Sequence, residues 1–574
     1  MRLVILTAAI LAACAGAAST AQAAEPKRTY RYDVPVDASS PWPSMRRDRR
    51  NTANSPVRAR YRRGERPWAF RSGKGIFSTP VVGGDGTVYA GSADTWFYAV
   101  GPRGKLRWRF KTGEIIDSAA TLGRYDRRRR TSPVTFGSGD EYLYRLRSDR
   151  RRMSQRARTL WRFRATRKPA TGQLVNWWEG NAVTGPGGVI FAGNTGGGAY
   201  AIEPTGRQRW VYQAGNSMWT APAMGDDGTT YWGSVDLNVY ALDRSGRQRW
   251  AFFTPGFVTS SPSLARDGTL YVGSFDGKLH ALDSRTGAER WSYATSEHIY
   301  SSPALSRDER TVFIASADGS VYALDRGGRL RWRYDTGDAV RSSPVVGRTA
   351  SGRGEILYVG SSNGTLYALD ARTGRRRWSF DTTPRDPLLR DRNDLNGSPA
   401  LGENGVYIGG EHGRLWYVPY DYCLHRRDSR CSRNPGEAFA DELTRVLQVT
   451  PGGNTESAGA RPRRAAATVL SGRLVVRRRG ETLDAALQPQ PLINASPPFE
   501  FSAQPSGDGH HVHVLPTGFL RPGTDYRVRI AGGWSAGASS TGHADSMLGF
   551  RTERSRGPLP LAVSRKRVSA LVMS

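Results

Sequence analysis

The residues of this chain that could do chemistry recur at equivalent places in a repeated pattern. Each copy approaches a Ser-Ser-Pro or related segment through three residues, and the middle one is always apolar. Side chains alternate along a strand, so the two outer positions face the opposite way from the middle one. The polar and aromatic residues found there are Asp117, Trp177, Glu179, Trp219, His298, Tyr300, Arg341, Asp394 and Asn396.

These side chains vary from copy to copy in a way that packing does not require. We expect them to line a central funnel. Carboxylates, an imidazole and a guanidinium around one cavity, with flat aromatic surfaces, would bind a small ligand or a peptide. A water-filled channel is the alternative interpretation.

The elements that must position this funnel are short strands. Each of eight copies is anchored by a tryptophan, and the anchors are about forty to fifty residues apart in most intervals, a spacing typical of a repeating four-stranded propeller blade. The anchors are Trp68, Trp108, Trp161, Trp210, Trp250, Trp291, Trp332 and Trp378. Asp-Gly and Thr-Gly pairs supply the tight turns between the strands.

The first and last copies are complementary. The strand around Trp68 precedes the first inner strand, and the last copy ends at Leu415-Trp416-Tyr417 without a tryptophan strand after it. Residues 66–71 are therefore predicted to supply the outer strand of the eighth blade and leave no open edge between the ends.

The Ser-Ser-Pro, Tyr-Val-Gly-Ser and Tyr-Ala-Leu-Asp segments of these tryptophan-anchored copies resemble the PQQ-like propeller repeat. The resemblance covers residues 40–420. It implies an all-β chain with an eight-bladed β-propeller of four-stranded antiparallel blades. This repeat occurs both in quinoprotein alcohol dehydrogenases and in propellers that only bind macromolecules, so the fold does not select the function.

In the dehydrogenases the cofactor PQQ rests on a tryptophan floor below a disulfide of adjacent cysteines, and Glu, Asn and Asp hold calcium. Glu179 and Trp219 are similar to part of that set, with Asp117 or Asn396 as further calcium ligands. No two cysteines are adjacent here, however, and Thr259 stands where the catalytic aspartate is expected. We therefore assign no catalytic residue and expect no cofactor, with PQQ and calcium as the alternative.

The N-terminus is typical of an exported protein. Residues 1–23 are predicted to be a signal peptide, because the apolar run from Leu3 to Leu11 is too short to span a membrane. Cleavage before Cys14 would produce a lipid anchor, and Ala21-Gln22-Ala23 is the ordinary cleavage site that remains possible. A linker, residues 24–39, follows.

The formal net charge is +32, and arginines cluster near Arg127–Arg130 and Arg150–Arg152. For an exported chain the expected counter-charges are anionic envelope polymers, lipid head groups or an acidic partner, whereas nucleic acid is not expected. A merely solvated basic surface is the other possibility.

After the propeller, residues 421–464 are predicted to be a linker with a short helix. A disulfide between Cys423 and Cys431 would pin it, and two unpaired thiols are the alternative. Short alternating strands in residues 465–555 resemble a bacterial Ig-like β-sandwich. Residues 556–574 form a tail without assignment.

The sequence therefore favours an exported, non-catalytic binding or scaffold protein of the bacterial cell envelope, periplasmic or on the cell surface. Its expected partners are envelope proteins or anionic envelope polymers. A PQQ- and calcium-dependent alcohol dehydrogenase with a divergent site is the alternative. The oligomeric state is not indicated.

Overall fold

The computed structural model describes residues 29–62, 64–129, 131–147, 157–166, 175–383, 393–425 and 428–431, and the backbone of six strands between 472 and 551. The chain divides into two compact units, residues 1–432 and 433–574. The predicted signal peptide with Cys14, the linker helix and the C-terminal tail lie outside the described residues.

The first unit is an eight-bladed β-propeller whose blades are antiparallel four-stranded sheets, with a fifth strand added to blade 7. The chain begins with β1 (Asn54–Arg58) and β2 (Trp68–Arg71). Blade 1 contains β3 (Val81–Val82), β4 (Val88–Gly91), β5 (Trp96–Val100) and β6 (Leu106–Lys111), and blade 2 contains β7 (Thr121–Leu122), β8 (Val134–Gly137), β9 (Tyr142–Arg147) and β10 (Arg158–Arg164). Blade 3 contains β11 (Val183–Thr184), β12 (Ile190–Gly193), β13 (Gly198–Ile202) and β14 (Gln208–Gln213). Blade 4 contains β15 (Ala223–Met224), β16 (Thr230–Gly233), β17 (Asn238–Leu242) and β18 (Gln248–Phe253). A 3-10 turn, Pro186–Gly188, lies between β11 and β12.

Blades 5 to 8 repeat this order. Blade 5 contains β19 (Ser263–Leu264), β20 (Thr269–Gly273), β21 (Lys278–Asp283) and β22 (Glu289–Ala294), and blade 6 contains β23 (Ala304–Leu305), β24 (Thr311–Ala315), β25 (Ser320–Asp325) and β26 (Leu330–Asp335). Blade 7 contains β27 (Val345–Arg348), β28 (Glu355–Gly360), β29 (Thr365–Asp370) and β30 (Arg376–Asp381). Blade 8 contains β31 (Ala400–Leu401), β32 (Gly405–Gly409) and β33 (Arg414–Pro419). The short helix α1 (Tyr422–His425) follows.

The ring closes as the sequence predicts. β2 pairs antiparallel with β33, with Trp68 opposite Tyr417 and Arg71 opposite Arg414, so the N-terminal strand is the outer strand of blade 8. The closure prediction is confirmed, with a strand slightly shorter than residues 66–71. A second N-terminal strand was not predicted: β1 pairs parallel with β27 in blade 7, which becomes five-stranded.

Neighbouring blades pack through a small residue and an apolar residue. A Cβ added to Gly193 would lie 2.1 Å from the carbonyl oxygen of Met218 in the next blade, and one added to Gly233 would lie 2.5 Å from Cγ1 of Val258. The apolar positions that precede the innermost strands are fully buried there. They are Ile76, Ile116, Trp178, Met218, Val258, Ile299, Val340 and Leu395. The predicted contact between blades is confirmed.

The Ser-Ser pairs explain how the innermost strands are held. Ser260 Oγ accepts the N–H of Gly273 in the second strand of its own blade, at 3.0 Å. Ser261 Oγ accepts the N–H of Ala221 in the preceding blade, and its own N–H donates to Ser302 Oγ in the following blade, both at 2.9 Å. Ser260 Oγ also donates to the carbonyl of Ser301 in the following blade at 2.9 Å, so both hydroxyls join neighbouring blades and Ser260 also fastens its own blade internally.

Most anchor tryptophans also bridge blades. Trp250 Nε1 donates to the carbonyl of Ser284 in the next blade at 3.0 Å, and its ring packs on the turn glycine Gly287, where no Cβ would fit. Trp378 differs, because blade 8 receives its outer strand from the N-terminus and has no such turn. Within the described residues its buried Nε1 has no hydrogen-bond partner.

One end of the propeller axis is covered by residues 42–53, which we call the closing segment. Its backbone carbonyls accept N–H groups from six innermost strands, and Pro43, Arg49 and Thr52 accept from Leu122, Met224 and Leu305. Its side chains add to this. Arg46 Nη2 donates to the carbonyls of residues 302, 303 and 344, and Asn51 Nδ2 donates to those of residues 221 and 262. The axis is therefore a funnel closed at one end.

Beyond the last blade, Cys423 and Cys431 are joined by a disulfide with a Cα–Cα distance of 5.2 Å. The enclosed turn docks on blade 7, where the N–H of Asp381 donates to the carbonyl of Arg430 at 2.8 Å. Among the described residues no helix is long and apolar enough to cross a membrane.

The second unit contains β34 (Gly472–Arg478), β35 (Glu481–Leu487), β36 (Phe501–Pro505), β37 (Val512–Pro516), β38 (Asp525–Ala531) and β39 (Ser546–Arg551). β35, β34, β38 and β39 form an antiparallel sheet in that order, and β36 pairs with β37. The Ig-like sandwich remains a prediction.

Candidate functional site

The predicted funnel residues lie where each blade begins, before its innermost strand. The backbone there is fixed by the same two hydrogen bonds in all eight copies. In blade 5 the N–H of Val258 donates to the carbonyl of Ser234 in the preceding blade, and the carbonyl of Phe257 accepts the N–H of Phe275. The residues on either side of each buried apolar position are therefore presented to the axis at fixed places.

This ring of residues lies at the end of the axis away from the closing segment. The closing segment bonds to residues of the innermost strands, and the two ring positions of a copy precede such a residue by five and seven positions, as Tyr300 and His298 precede Leu305. Five residues of extended chain span roughly 15 Å. The ring therefore surrounds the open end of the funnel.

Two carboxylates form the acidic part of the ring, on the neighbouring blades 2 and 3. Burial raises the pKa of Asp117 to about 6. Burial, with the negative charge of Asp117 beside it, raises the pKa of Glu179 to about 7. Oδ1 of Asp117 is buried without a hydrogen-bond partner among the described residues. The pair therefore retains protons more readily than exposed carboxylates and has an acceptor open to a ligand or an ordered water.

The aromatic part of the ring covers blades 4 to 6. The ring centroid of Tyr300 is 5.0 Å from that of His298 and 4.4 Å from that of Phe275. His298 Nδ1 also lies 3.3 Å from Glu297 Oε2. The side chain of Trp219 is exposed on blade 4. These blades give the funnel mouth an apolar wall.

The remaining part, on blades 7 and 8, joins a cation to an amide. Arg341 Cζ lies 5.4 Å from the Tyr300 ring centroid. Asn396 Nδ2 donates to Glu411 Oε1 at 2.7 Å. Burial raises the pKa of the Glu411 carboxyl, although the positive charge of Arg341 opposes the change. Arg341 and Asn396 thus converge on Glu411, which the sequence analysis did not select.

Trp177 and Asp394 are the two remaining candidates, and each lies directly before a buried apolar position. Their backbone carbonyls accept the N–H groups of Thr195 and Glu411. Both side chains are partly buried. The structure therefore places all nine candidates around the open end of the funnel, in three chemically different parts.

Sequence reasoning missed Glu411 and Phe275 because they occupy a third variable position, two residues after the last residue of the second strand. The corresponding residues in the other blades include Ala93, Thr195, Val235 and Ser362, all smaller than these two. A comparison of the copies at that position shows the variation that singled out the ring. The closing segment carries no repeated signal, and no pattern in the sequence revealed its place.

PQQ and calcium would have to be held by this ring. Calcium prefers six to eight oxygen ligands, and among the described residues no three Asp, Glu, His or Cys side chains are placed to hold a metal ion. The three cysteines of the chain, Cys14, Cys423 and Cys431, include no adjacent pair, and Thr259 stands at the position of the expected base. The residues present do not supply the set of ligands that a quinoprotein dehydrogenase uses.

Comparison with known proteins agrees with this architecture. The family model described as outer membrane protein assembly factor BamB matches residues 151–256 and 236–430. This chain contains a PQQ-like β-propeller. No curated protein matches its sequence.

Solved structures resemble the PQQ-like propeller at low sequence identity. Quinohemoprotein alcohol dehydrogenase ADHIIG from Pseudomonas putida HK5 is 14% identical with a TM-score of 0.51, and the match covers 66% of this chain and 80% of that one. BamB from Moraxella catarrhalis is 18% identical with a TM-score of 0.47, covering 63% and 99%. At these identities the likeness concerns the fold alone.

Proposed function

We propose that this protein is an exported, non-catalytic binding or scaffold protein of the bacterial cell envelope, periplasmic or on the cell surface, which holds a partner at the open end of its propeller. The partner is an envelope protein, with anionic envelope polymers as the other class. The sequence of residues 1–23 supports export, and Cys14 supports a lipid anchor.

The observation that carries this proposal is a rim of exposed aromatic side chains. Phe77, Trp219 and Phe257 are 36%, 36% and 45% exposed, and all three belong to the ring or the position beside it. Large apolar side chains that remain exposed around a concave surface are typical of protein recognition, where aromatic anchors provide most of the binding energy. A protein segment therefore fits the rim better than a purely anionic polymer.

The resemblance to BamB adds support for an envelope role, because that family is described as an outer membrane protein assembly factor. The other support is the incomplete ligand set for PQQ and calcium in the funnel.

A co-purification experiment tests this proposal. The purified mature protein is incubated with a detergent extract of the envelope of its own bacterium and then recovered. We expect a specific envelope protein to co-purify and to be lost from the double variant Trp219→Ala, Phe257→Ala. Phe253→Ala is the matched control, because Phe253 is 61% exposed but lies on the outer strand of blade 4. Equal recovery with the rim variant and the control would contradict the proposal.

A PQQ- and calcium-dependent oxidoreductase is the second candidate, and the buried pair Asp117 and Glu179 is the observation that favours it. Calorimetric titration with PQQ and calcium decides between the two. Saturable one-site binding that Glu179→Ala abolishes would support the oxidoreductase. Absence of binding heat at high micromolar PQQ would support the non-catalytic binding protein instead.

A further inference from the structure

A second concave site lies at the end of the propeller away from the ring. It is a cavity of about 930 Å³ between the N-terminal residues 31–33, the closing segment, and blades 4 and 5. Arg49 Nη1 and Arg50 Nη1 fix the segment to these blades by donating to the carbonyls of Met224 and Leu264, at 2.9 and 3.0 Å. This volume suits a ligand of nucleotide size or a stretch of a polymer.

Arginine dominates the walls of this cavity, which we call the arginine pocket. Its described lining includes seven arginines and four aspartates. The arginines are Arg31, Arg47, Arg49, Arg50, Arg249, Arg266 and Arg285. An excess of guanidinium groups in a concave surface concentrates anions there.

The acidic groups of the pocket are already neutralised. Asp33 and Asp226 both pair with Arg49, and Asp227 pairs with Arg249 at 2.5 Å. The carboxylate of Asp48 accepts the N–H groups of residues 50 and 52 and pairs with Arg47 at 3.4 Å.

A further carboxylate behind the wall is also occupied. Glu309 pairs with Arg50 at 2.8 Å and with Arg266 at 3.0 Å, and its side chain is buried. All five acidic groups in and behind the wall are therefore paired with five of the arginines. Among these groups no carboxylate is left to neutralise the other two arginines of the pocket.

Those two arginines are Arg31 and Arg285, which line the pocket from different elements. Arg31 belongs to the N-terminal stretch, and Arg285 lies in the turn between β21 and β22 of blade 5. Both side chains are exposed, and neither forms an ion pair within the part of the chain that the structure describes. Each fork of N–H donors is free to bind an oxyanion in a bidentate manner.

We propose that the arginine pocket binds a ligand with several oxyanion groups, phosphoryl or carboxylate, and that Arg31 and Arg285 hold these groups from two different elements of the wall. The five paired arginines hold the walls in place, and the net positive charge of the pocket comes from Arg31 and Arg285. This site is separate from the aromatic rim, and the proposal does not rest on the proposed function.

Calorimetric titration of the full mature chain with inorganic tripolyphosphate and with citrate tests this site. We expect saturable binding that weakens about tenfold in Arg31→Gln and in Arg285→Gln, and about a hundredfold in the double variant, since each change removes a charge-assisted bidentate contact. The tighter of the two probes identifies the phosphoryl or the carboxylate source.

Arg372→Gln is the matched control. Arg372 occupies the same place as Arg285 in the corresponding turn of blade 7, where Gly374 N–H donates to Asp370 O at 2.8 Å as Gly287 N–H does to Asp283 O. Arg372 does not line the pocket. Its loss should leave the affinity within about twofold, because it removes the same charge without the contact.

Equal weakening by Arg285→Gln and Arg372→Gln would overturn the proposal, since it would show only the general attraction of a chain with a net charge of +32. Absence of saturable binding at millimolar probe would overturn it as well. The rim variant Trp219→Ala, Phe257→Ala should keep its tripolyphosphate affinity, so a failure of the proposed function is distinguishable from a failure of this site.

Discussion

At the scale of single residues, one blade departs from a contact that the others share. In blades 1, 2, 4 and 6 a buried tyrosine hydroxyl donates to an aspartate four residues earlier, as Tyr240 does to Asp236 at 2.8 Å. Blade 5 has His280 at this place. Its Nε2 lies 3.0 Å from Asp276 Oδ2, and its Nδ1 lies 2.6 Å from Glu289 Oε1. This blade alone among those compared has a contact that titrates near neutral pH.

The pKa of His280 is shifted upward. Burial acts to lower it, but the hydrogen bonds and negative charges of Asp276 and Glu289 outweigh burial and raise the pKa above 6.5. A raised folded-state pKa means that the folded protein binds the proton more tightly than the unfolded chain. The resulting stabilisation is complete below pH 6.5 and is lost as the pH rises through the folded-state pKa.

We predict that His280→Tyr removes this part of the pH dependence. The tyrosine hydroxyl restores the contact with the aspartate found in the other blades and does not titrate near neutrality. Thermal unfolding from pH 6 to pH 9 should show wild-type Tm falling relative to the variant as the pH rises. Parallel Tm profiles for the two proteins would contradict the assignment.

At the scale of elements, the contact between one blade and the next sets the tolerance to substitution. The second strand of most blades ends in a glycine because the neighbouring apolar residue occupies the space of a Cβ. At Gly193 the nearest obstacle is the backbone of residue 218, which cannot move aside as a flexible side chain can.

We predict that Gly193→Ala lowers the free energy of unfolding by about 1–3 kcal/mol, because the added methyl group forces the two packed blades apart. Gly327→Ala is the control: its Cβ would meet only Asp325 Oδ1 at 3.4 Å, an ordinary contact. Urea unfolding followed by tryptophan fluorescence measures both. Similar losses in the two variants would show that glycine itself, rather than the contact between blades, determines the effect.

At the scale of the whole molecule, the ring is closed at a seam inside blade 8, where β2 pairs with β33 although no hairpin joins these two strands. Trp68 stabilises it from both sides. Its ring stacks on Tyr417 at a centroid distance of 5.4 Å, and its Nε1 donates to the carbonyl of Pro102 in blade 1 at 3.1 Å.

We predict that Trp68→Ala releases β2 and exposes the neighbouring arginines to trypsin, with a loss of about 3–5 kcal/mol typical of truncating a large aromatic side chain. Trp291→Ala, in the hairpin-linked outer strand of blade 5, should be destabilised without early cleavage near Arg71. Mass spectrometry of short trypsin digests distinguishes them. Early cleavage near Arg71 in neither variant would contradict the role of Trp68 in the seam.

Repetition explains how much of this architecture was predictable. Eight copies indicate blade number, turn positions, the buried apolar positions and the ring of nine candidates without any comparison outside the chain. The assignment of an N-terminal strand to blade 8 followed from the last copy, which ends at Tyr417 without a tryptophan strand after it.

Single features without a repeat were not predictable. The parallel pairing of Asn54–Arg58 and the path of the closing segment depend on contacts between residues far apart in the sequence, such as Arg46 with Ser302, 256 positions away. The arginine pocket likewise forms only when that segment meets blades 4 and 5. Local sequence contains no trace of such distant contacts.

The pairing of Trp68 with Tyr417 also has a consequence for the order in which the protein is made. Synthesis proceeds from the N-terminus, yet β2 has no partner until the last blade has emerged. Seven blades can form in sequence through local hairpins, whereas the final step must close a loop of nearly the whole propeller and is entropically the slowest. Until then β2 is an unpaired strand, open to association with other chains, so a chaperone that shields it until the last blade is made would raise the yield of folded protein.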